Sequence, residues 1–392
     1  MHVAYLHYLL ASATGLNHVR QFAAAAEQLG HRVDVHGMNL APSEHDDSTA
    51  TPLRLRFRQA LKQRFSRYLH DPKEFLWNLS YYRNELKTLQ ASRPDVLLVR
   101  LNPQAVSCVF SARKLGLPLV FEVNAPVEEG WLYDRQYKHL RRLQERAMKW
   151  RLAQADAVTV VSTALKDHLL NQYRLREDKF TVVPNGADES LFYPGREPDL
   201  EFPSDPASPR IGFVGSFQGF HGLELLVGMI DAVSACCPDA RFLLVGGGPG
   251  ADHVAARIGR SDRVVFTGSV SHDRIPGLVA SIDIGVMPEA LFYGSPLKVM
   301  EWMAAGLAIV APRYDPLEEI LEDGREGLLF PPGDLRSLVE KVSTLVRHPE
   351  LRAKLGEAAS ARARSSLTWR HNAEKMLQAC SCAVQNHQAA RG

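Results

Sequence analysis

The sequence predicts an α/β protein of two domains, each a parallel β-sheet covered by helices. Three observations carry this expectation. Short β-rich runs alternate with helical stretches along the chain. Runs such as Asp95–Arg100 (DVLLVR) and Arg241–Val245 (RFLLV) are nearly continuous in apolar residues, as strands covered on both faces are. Residues 194–209 (PGREPDLEFPSDPASP) hold five prolines in sixteen positions, which argues against a helix or central strand there and splits the alternation into two series.

In the first series, residues 2–7 (HVAYLH) read as a buried strand, followed by a loop holding Gly15. A helix from about Asn17 to Leu29 stops at Gly30, a C-terminal cap signal. Strands are expected at 31–36, 95–100, 119–123, 157–161 and 180–183. The second series restarts with a strand at 210–214 and a helix near 222–236. Strands follow at 241–245, 263–266 and 283–287, then a helix at 297–305 and a strand at 308–311. Helices are expected over 334–347, 349–366 and 367 to about 384, the last with Trp369 near its start. The expected organisation is a first domain at 1–193, a linker at 194–209, a second domain at 210–366 and a terminal helix and tail at 367–392. Ligands of parallel sheets sit beyond the carboxyl ends of the strands, so the cleft between two such domains is the expected site.

Composition excludes several classes. Forty-six basic against 44 acidic side chains give +2, and 23% charged residues do not make a charge-driven disordered chain. A dedicated nucleic-acid binder would show a basic excess, so no nucleic-acid partner is expected. The sum hides segregation: residues 1–195 carry 26 basic and 20 acidic side chains, residues 196–392 carry 20 and 24. The five cysteines include no CxxC pair and suit a reduced, cytoplasmic protein. The opening MHVAYLHYLL lacks a basic region before its apolar run, so no signal peptide is expected, and no stretch reaches the ~20 apolar residues of a membrane span.

The chemistry-bearing patterns follow strands. Gly15 comes after the first strand, where a glycine lets backbone N–H groups approach an anion; its plainer reading is a structural loop glycine. Val183-Pro184-Asn185-Gly186-Ala187-Asp188 reads as a strand ending in a Pro/Asn-Gly turn. Phe213-Val214-Gly215-Ser216-Phe217, with His221-Gly222, reads as strand, glycine loop and helix entry, an arrangement suited to an anion with His221 as donor. Gly246-Gly247-Gly248-Pro249 follows the next strand. Three glycines there point to close backbone approach or unusual φ/ψ, and the run is not the GxGxxG of a dinucleotide site. Finally, Tyr293-Gly294-Ser295-Pro296 opens an otherwise apolar helix on which Lys298 and Glu301 share a face. A solvated i,i+3 ion pair is the plain alternative. A cation in the first turn suits an anionic ligand, and a carboxylate one turn on suits ribose hydroxyls.

Taken together, VPNGAD, FVGSF…HG, GGGP, FTG (266–268), SPLKVMEWMAAG and EEILEDGREGLLFPPGD (318–334) resemble the retaining family-4 glycosyltransferases. The likeness runs through the chain and includes PDVLLVR and ADAVTVVS in the first half. It implies the GT-B fold: two Rossmann-like domains facing across a cleft, with the C-terminal helix crossing back to the first. It implies transfer of a sugar from a nucleotide diphosphate sugar, with retention, no essential metal and no cofactor beyond that substrate. By the same resemblance, the Gly15 loop brings amides to the donor phosphate. Ser295, Pro296 and Leu297 meet the diphosphate and sugar, Glu301 binds ribose hydroxyls, and the main chain at Val270 meets the base. Gly215, Ser216 and Gly246 complete the donor-side set.

This chain departs from the family pattern in a coordinated way. Tyr293 stands where the family has a glutamate that orients the donor sugar. Ser216 and His221 stand where it has Arg and Lys, and Asn124, in Phe121-Glu122-Val123-Asn124-Ala125-Pro126, where it has His. Lys298 is then the leading cation for the departing diphosphate and His221 the second, although a histidine needs an anionic neighbour to stay charged at pH 7. Glu122 and Asn124 are candidates on the acceptor side, or else a strand-end pair held by structural hydrogen bonds. Segments 54–87 and 135–151 are basic; the first interleaves its cations with apolar residues. They suit peripheral contact with an anionic membrane or, more plainly, a solvated helix face. Two rival functions remain: a sugar-nucleotide-binding or scaffolding protein that has lost catalysis, and another GT-B enzyme such as an NDP-sugar epimerase. A pyridoxal-phosphate phosphorylase lacks a supporting lysine motif. The acceptor class stays open among glycans, lipids and small molecules.

Overall fold

The computed structural model describes residues 1–9, 15–38, 77–102, 105–127, 141–199, 208–259 and 261–389. The chain forms two compact units. Unit 1 comprises Met1–Val161, Leu165–Val183 and Ala373–Gly392; unit 2 comprises Ser162–Ala164 and Pro184–Asn372.

Unit 1 is built on β1 (His2–His7), β2 (Arg32–Gly37), β3 (Val96–Arg100), β4 (Leu119–Val123), β5 (Ala157–Val160) and β6 (Phe180–Val182). They form one parallel sheet in the order β2-β1-β3-β4-β5-β6. Its flanking helices include α1 (Gly15–Gln28), α2 (77–92), α3 (Ser107–Leu115), α4 (Arg141–Gln154) and α5 (Thr163–Tyr173). Strand residues such as Val3, Leu6, Leu97, Val120 and Val158 are fully buried, as covering on both faces requires.

Unit 2 repeats the plan with β7 (Arg210–Val214), β8 (Arg241–Val245), β9 (Val264–Gly268), β10 (Ile284–Val286), β11 (Ala308–Pro312) and β12 (Leu328–Phe330). The parallel order is β12-β11-β10-β7-β8-β9. Helices α6 (Leu223–Cys236), α7 (Ala251–Ile258), α8 (Ile275–Ala280), α9 (Leu297–Ala305), α10 (Asp315–Glu318), α11 (Leu335–Arg347) and α12 (Pro349–Ser366) connect and cover it. One side chain cluster is centred on Trp302, Met300 and Leu243, and another on Phe213, Phe242 and Ile230. Residues 219–236 are long and apolar enough for a membrane span, but Leu226, Met229, Ile230 and Val233 of that stretch are buried in the second cluster.

Most expected elements are present within one or two residues. Gly15, expected in a loop, is the first residue of α1. The strand β12 was not anticipated, because three residues between Gly327 and Pro331 give too short an apolar run to read. The change of unit falls at Val183/Pro184, ahead of the proline-rich 194–209. The reason is packing. Ala187 and Phe192 are buried in the unit 2 core, and Ala187 exchanges backbone hydrogen bonds with Leu367 and Trp369. Residues 200–207 of the expected linker lie outside the described residues, as do residues 54–76 and 135–140 of the two basic segments. The terminal helix α13 (Trp369–Ala389) begins in unit 2 and belongs to unit 1 from Ala373, where Ala373, Met376, Cys380 and Ala383 are buried.

Gly186 marks how tightly the 184–187 turn is held. A Cβ there would lie 2.5 Å from the backbone of Thr368 and Trp369. Gly186→Ala should therefore destabilise the protein by about 1–3 kcal/mol, the usual scale of overpacking. Gly219, with nothing within 4 Å of its Cβ position, should accept alanine with little change. Thermal unfolding of the two variants side by side checks this.

Candidate active site

The loop after β7 is shaped by its backbone. Gly215 follows the strand, and Phe217, fully buried, holds a left-handed φ of 45° that aromatic residues seldom adopt. The short turn Gly219–His221 is capped reciprocally by Gln218 and His221, with the Gln218 N–H donating to His221 Nδ1 at 3.2 Å. The glycine run after β8 packs on this loop. A side chain on Gly246 (φ 116°) would collide with the Gly215 carbonyl oxygen, and one on Gly248 (φ 141°) with that of Ser216. The close backbone approach expected from three glycines is thus an approach of the protein to itself. Gly215, Ser216 and Gly246 are brought together, and Gly246 serves to seat the other two.

Helix α9 supplies the charges. Pro296 occupies its N-cap and makes no capping hydrogen bond. The helix start is held from outside instead. The Asn185 N–H donates to Ser295 Oγ at 3.1 Å, and Asn185 Nδ2 donates to the Ser295 carbonyl at 2.7 Å. That carbonyl can only accept, so it sets the orientation of the amide. The Asn185 turn is pinned in its turn by Asn372 Nδ2, which donates to the Pro184 carbonyl at 2.7 Å. Just upstream, Ser162 Oγ donates to the carbonyl of Tyr293, whose ring is buried against Phe292.

Lys298 lies in the first turn of α9. Its stem keeps some exposure, but its Nζ is buried without a hydrogen-bond partner, 5.0 Å over the centre of the Phe213 ring and close against Gly215. Burial pulls its pKa down to about 8, opposed by the Glu301 charge. Burial likewise pushes Glu301 up to about 7; Lys298 opposes this and Asp188 adds to it. No ion pair joins Lys298 and Glu301, so the solvated pair that their spacing also allowed is not formed.

His221 requires a correction. It is 6% exposed, and its pKa is pulled down to about 3, first by burial and then by the charge of Lys298. It is neutral at pH 7 and is not a second cation. With Nδ1 accepting from Gln218, its proton sits on Nε2, where it can serve as a neutral donor. Val270 follows β9 and packs partly against the unit 2 core.

In unit 1, Glu122 and Asn124 are indeed paired, but as part of a closed network. Glu122 is 2% exposed and accepts from Asn124 Nδ2 at 2.7 Å, Arg100 Nη1 at 3.1 Å and the Tyr5 hydroxyl, with His18 Nε2 at 2.9 Å. Although burial alone would raise its pKa, His18 and Arg100 hold the carboxyl well below the usual range. A carboxylate so held is a poor proton acceptor at neutral pH. It orients rather than reacts, and the structural alternative describes it. Gly15 starts the helix that carries His18.

Sequence reasoning missed Asn185, Asp188 and Phe213 in unit 2, and Tyr5, His18 and Arg100 in unit 1. Phe213 and Asn185 stood inside motifs already singled out. No local spacing, however, announces a partner 110 residues away, as Ser295 is from Asn185.

Comparison with known proteins defines the class. Residues 16–191 match the family described as Glycosyltransferase Family 4, and residues 208–348 match Glycosyl transferases group 1. The two matches together take in most of the chain, which belongs to the GT-B glycosyltransferase family. Sulfoquinovosyl transferase SQD2 of Arabidopsis thaliana is 28% identical over 286 residues, covering 69% of this chain and 52% of that protein. A D-inositol 3-phosphate glycosyltransferase of Stackebrandtia nassauensis is 29% identical over 251 residues, covering 60% and 56%. The chain thus spans little more than half the length of these relatives. In fold it is similar to sucrose-phosphate synthase of Thermosynechococcus elongatus (TM-score 0.73, 18% identity, covering 96% of this chain and 98% of that one). It is also similar to Anabaena Alr3699/HepE in complex with UDP-glucose (TM-score 0.71, 16% identity, covering 97% and 100%).

The burial of Lys298 can be read without any substrate. Acylation of Lys298 by an amine-reactive reagent, followed by mass spectrometry across pH, should show a midpoint near 8. In Asn185→Ala, which frees the start of α9, the midpoint should move up toward the ordinary lysine range, ~10.4.

Proposed function

We propose that this chain is a retaining glycosyltransferase that moves a sugar from a nucleoside diphosphate sugar to a glycan, lipid or small-molecule hydroxyl, without an essential metal. The observation that carries the proposal is Lys298: a buried ammonium with no hydrogen-bond partner among the described residues, in the first turn of a helix, beside a glycine loop at the carboxyl end of β7. When the sugar leaves, negative charge develops on the diphosphate. Lys298 and the first-turn N–H groups of α9 stabilise that charge, and His221 adds a neutral Nε2–H donor. Glu301, when ionised, accepts from ribose hydroxyls. Retention is inferred from the resemblance of the sequence motifs to the retaining family. The donor is itself the substrate, so no resident cofactor is invoked. The five free cysteines suit a reducing, cytoplasmic setting.

Thermal-shift screening with UDP-, GDP- and ADP-sugars tests the donor class, since a ligand of the native state raises apparent stability. The structures of Alr3699/HepE with UDP and UDP-glucose make UDP-sugars the first panel. NMR of the product's anomeric centre tests retention. Stabilisation by no nucleotide sugar sinks the proposal; stabilisation without turnover across a broad acceptor panel favours a binding protein.

Lys298→Ala should lower kcat by about 10²-fold or more, the scale of losing one preorganised charge-stabilising group. The pH profile should be a narrow bell. kcat/KM rises as Glu301 ionises near pH 7 and falls as Lys298 loses its proton near pH 8. The two limbs belong to the interacting pair. In the residual activity of Lys298→Ala the alkaline limb should be absent.

A further inference from the structure

Unit 1 carries a surface that the donor chemistry does not use. Helices α3 and α4 meet where the Phe110 ring packs on the Trp150 indole, with centroids 5.4 Å apart. Arg113 joins the same pair: its guanidinium stands 5.9 Å over the Trp150 ring and donates to Gln154 Oε1. Phe110 is 48% exposed and Leu143 is 46% exposed. Exposed cations rim them, with Lys114 at the end of α3 and Arg142, Arg146 and Lys149 along one row of α4. Acidic residues are nearly absent: α3 has none, and α4 has Glu145 alone.

A single half-exposed phenylalanine is ordinary. An aromatic pair and a leucine, rimmed by cations with a single acid on the two helices, are not an ordinary ion-paired helix face. The two halves of the surface ask for a partner with anionic groups outside and an apolar layer beneath, which is an anionic lipid surface. A nucleic acid would satisfy the cations but give Leu143 nothing, whereas a lipid surface serves both halves.

We propose that the α3–α4 face of unit 1 docks on anionic lipid, with Phe110 and Leu143 entering the headgroup region and Arg142, Arg146 and Lys149 meeting lipid phosphates. The test is cosedimentation of the full chain with phosphatidylcholine vesicles, with and without phosphatidylglycerol. It is read without turnover, so it stands apart from the donor proposal. Binding should require phosphatidylglycerol and weaken with added salt. The Arg142→Gln/Arg146→Gln/Lys149→Gln variant should bind at least tenfold more weakly, given roughly fivefold per cation near the surface. Phe110→Ser should lose about tenfold while keeping the salt dependence. All four positions are exposed, and matching circular dichroism spectra confirm that the variants fold; Arg142→Gln alone gives the smaller, same-sign effect if the triple variant does not. Three results overturn the proposal: no binding to phosphatidylglycerol vesicles, undiminished binding of the triple variant, or retention on RNA as tight as on vesicles and indifferent to Phe110→Ser.

Discussion

Burying the ammonium of Lys298 with no carboxylate bonded to it among the described residues is costly, because a charge leaving water loses more solvation than an aromatic face returns. Phe213 offers its ring 5.0 Å away, and nothing among the described residues hydrogen-bonds the Nζ. Much of unit 2 is arranged so that this arrangement persists. Gly215 leaves room for the amine. The glycines after β8 let a second loop close on Gly215 and Ser216. Asn185 fixes the start of α9 where proline cannot cap it. Even His221 is governed by the same charge, which helps to keep its imidazole neutral.

Buried charge is met in two ways in this protein, and the contrast between Glu122 and Lys298 separates structure from chemistry. Glu122 is 2% exposed, yet donors from β1, β3 and the residue after β4, with His18 of α1 at ion-pair distance, surround it. Its ionised form is the stable one, so it holds elements together and has no proton to exchange near neutrality. Glu85, on α2, accepts from the hydroxyls of Tyr8, Ser107 and Ser111, which oppose the rise that burial gives its pKa. Lys298 Nζ has no such company among the described residues, and both it and Glu301 are pushed toward their neutral forms. Buried groups left unsatisfied by the protein are those for which a ligand is the natural partner.

Much of the fold was legible because its signals are local. The strands at 119–123, 210–214 and 241–245 and the helices at 297–305 and 349–366 fall where apolar runs, glycine caps and prolines place them. What was not legible depends on distant contacts. The proline-rich stretch marks where regular structure lapses. The change of core comes earlier, because Ala187 and Phe192 find partners in unit 2. At the site, the spacing of Lys298 and Glu301 was enough to put them on one face. His221 stands beside Gly215 with Lys298, but burial and that lysine, on another element, keep it from the cationic form that its motif suggested. Asn185 passed for a turn residue because its role lies in Ser295.

An unpaired cation also favours one state of a reaction over another. In the proposed transfer, the intact nucleoside diphosphate sugar carries less negative charge on its phosphates than the diphosphate that departs. A preformed ion pair would have to be broken to use that difference. The ammonium of Lys298, which no described residue hydrogen-bonds, gains most from the most negative species, so its unfavourable burial in the free protein is relieved more in the transition state than on donor binding. The same charge raises the proton affinity of the lysine, so the approach of the diphosphate restores the protonated form that burial had weakened. Glu301, which opposes the depression of the Lys298 pKa and is itself half-ionised near pH 7, ties ribose recognition to this balance through one turn of helix. In the proposed reaction, the spacing of two residues on α9 thereby couples the grip on the nucleotide to the stabilisation of its departing phosphate.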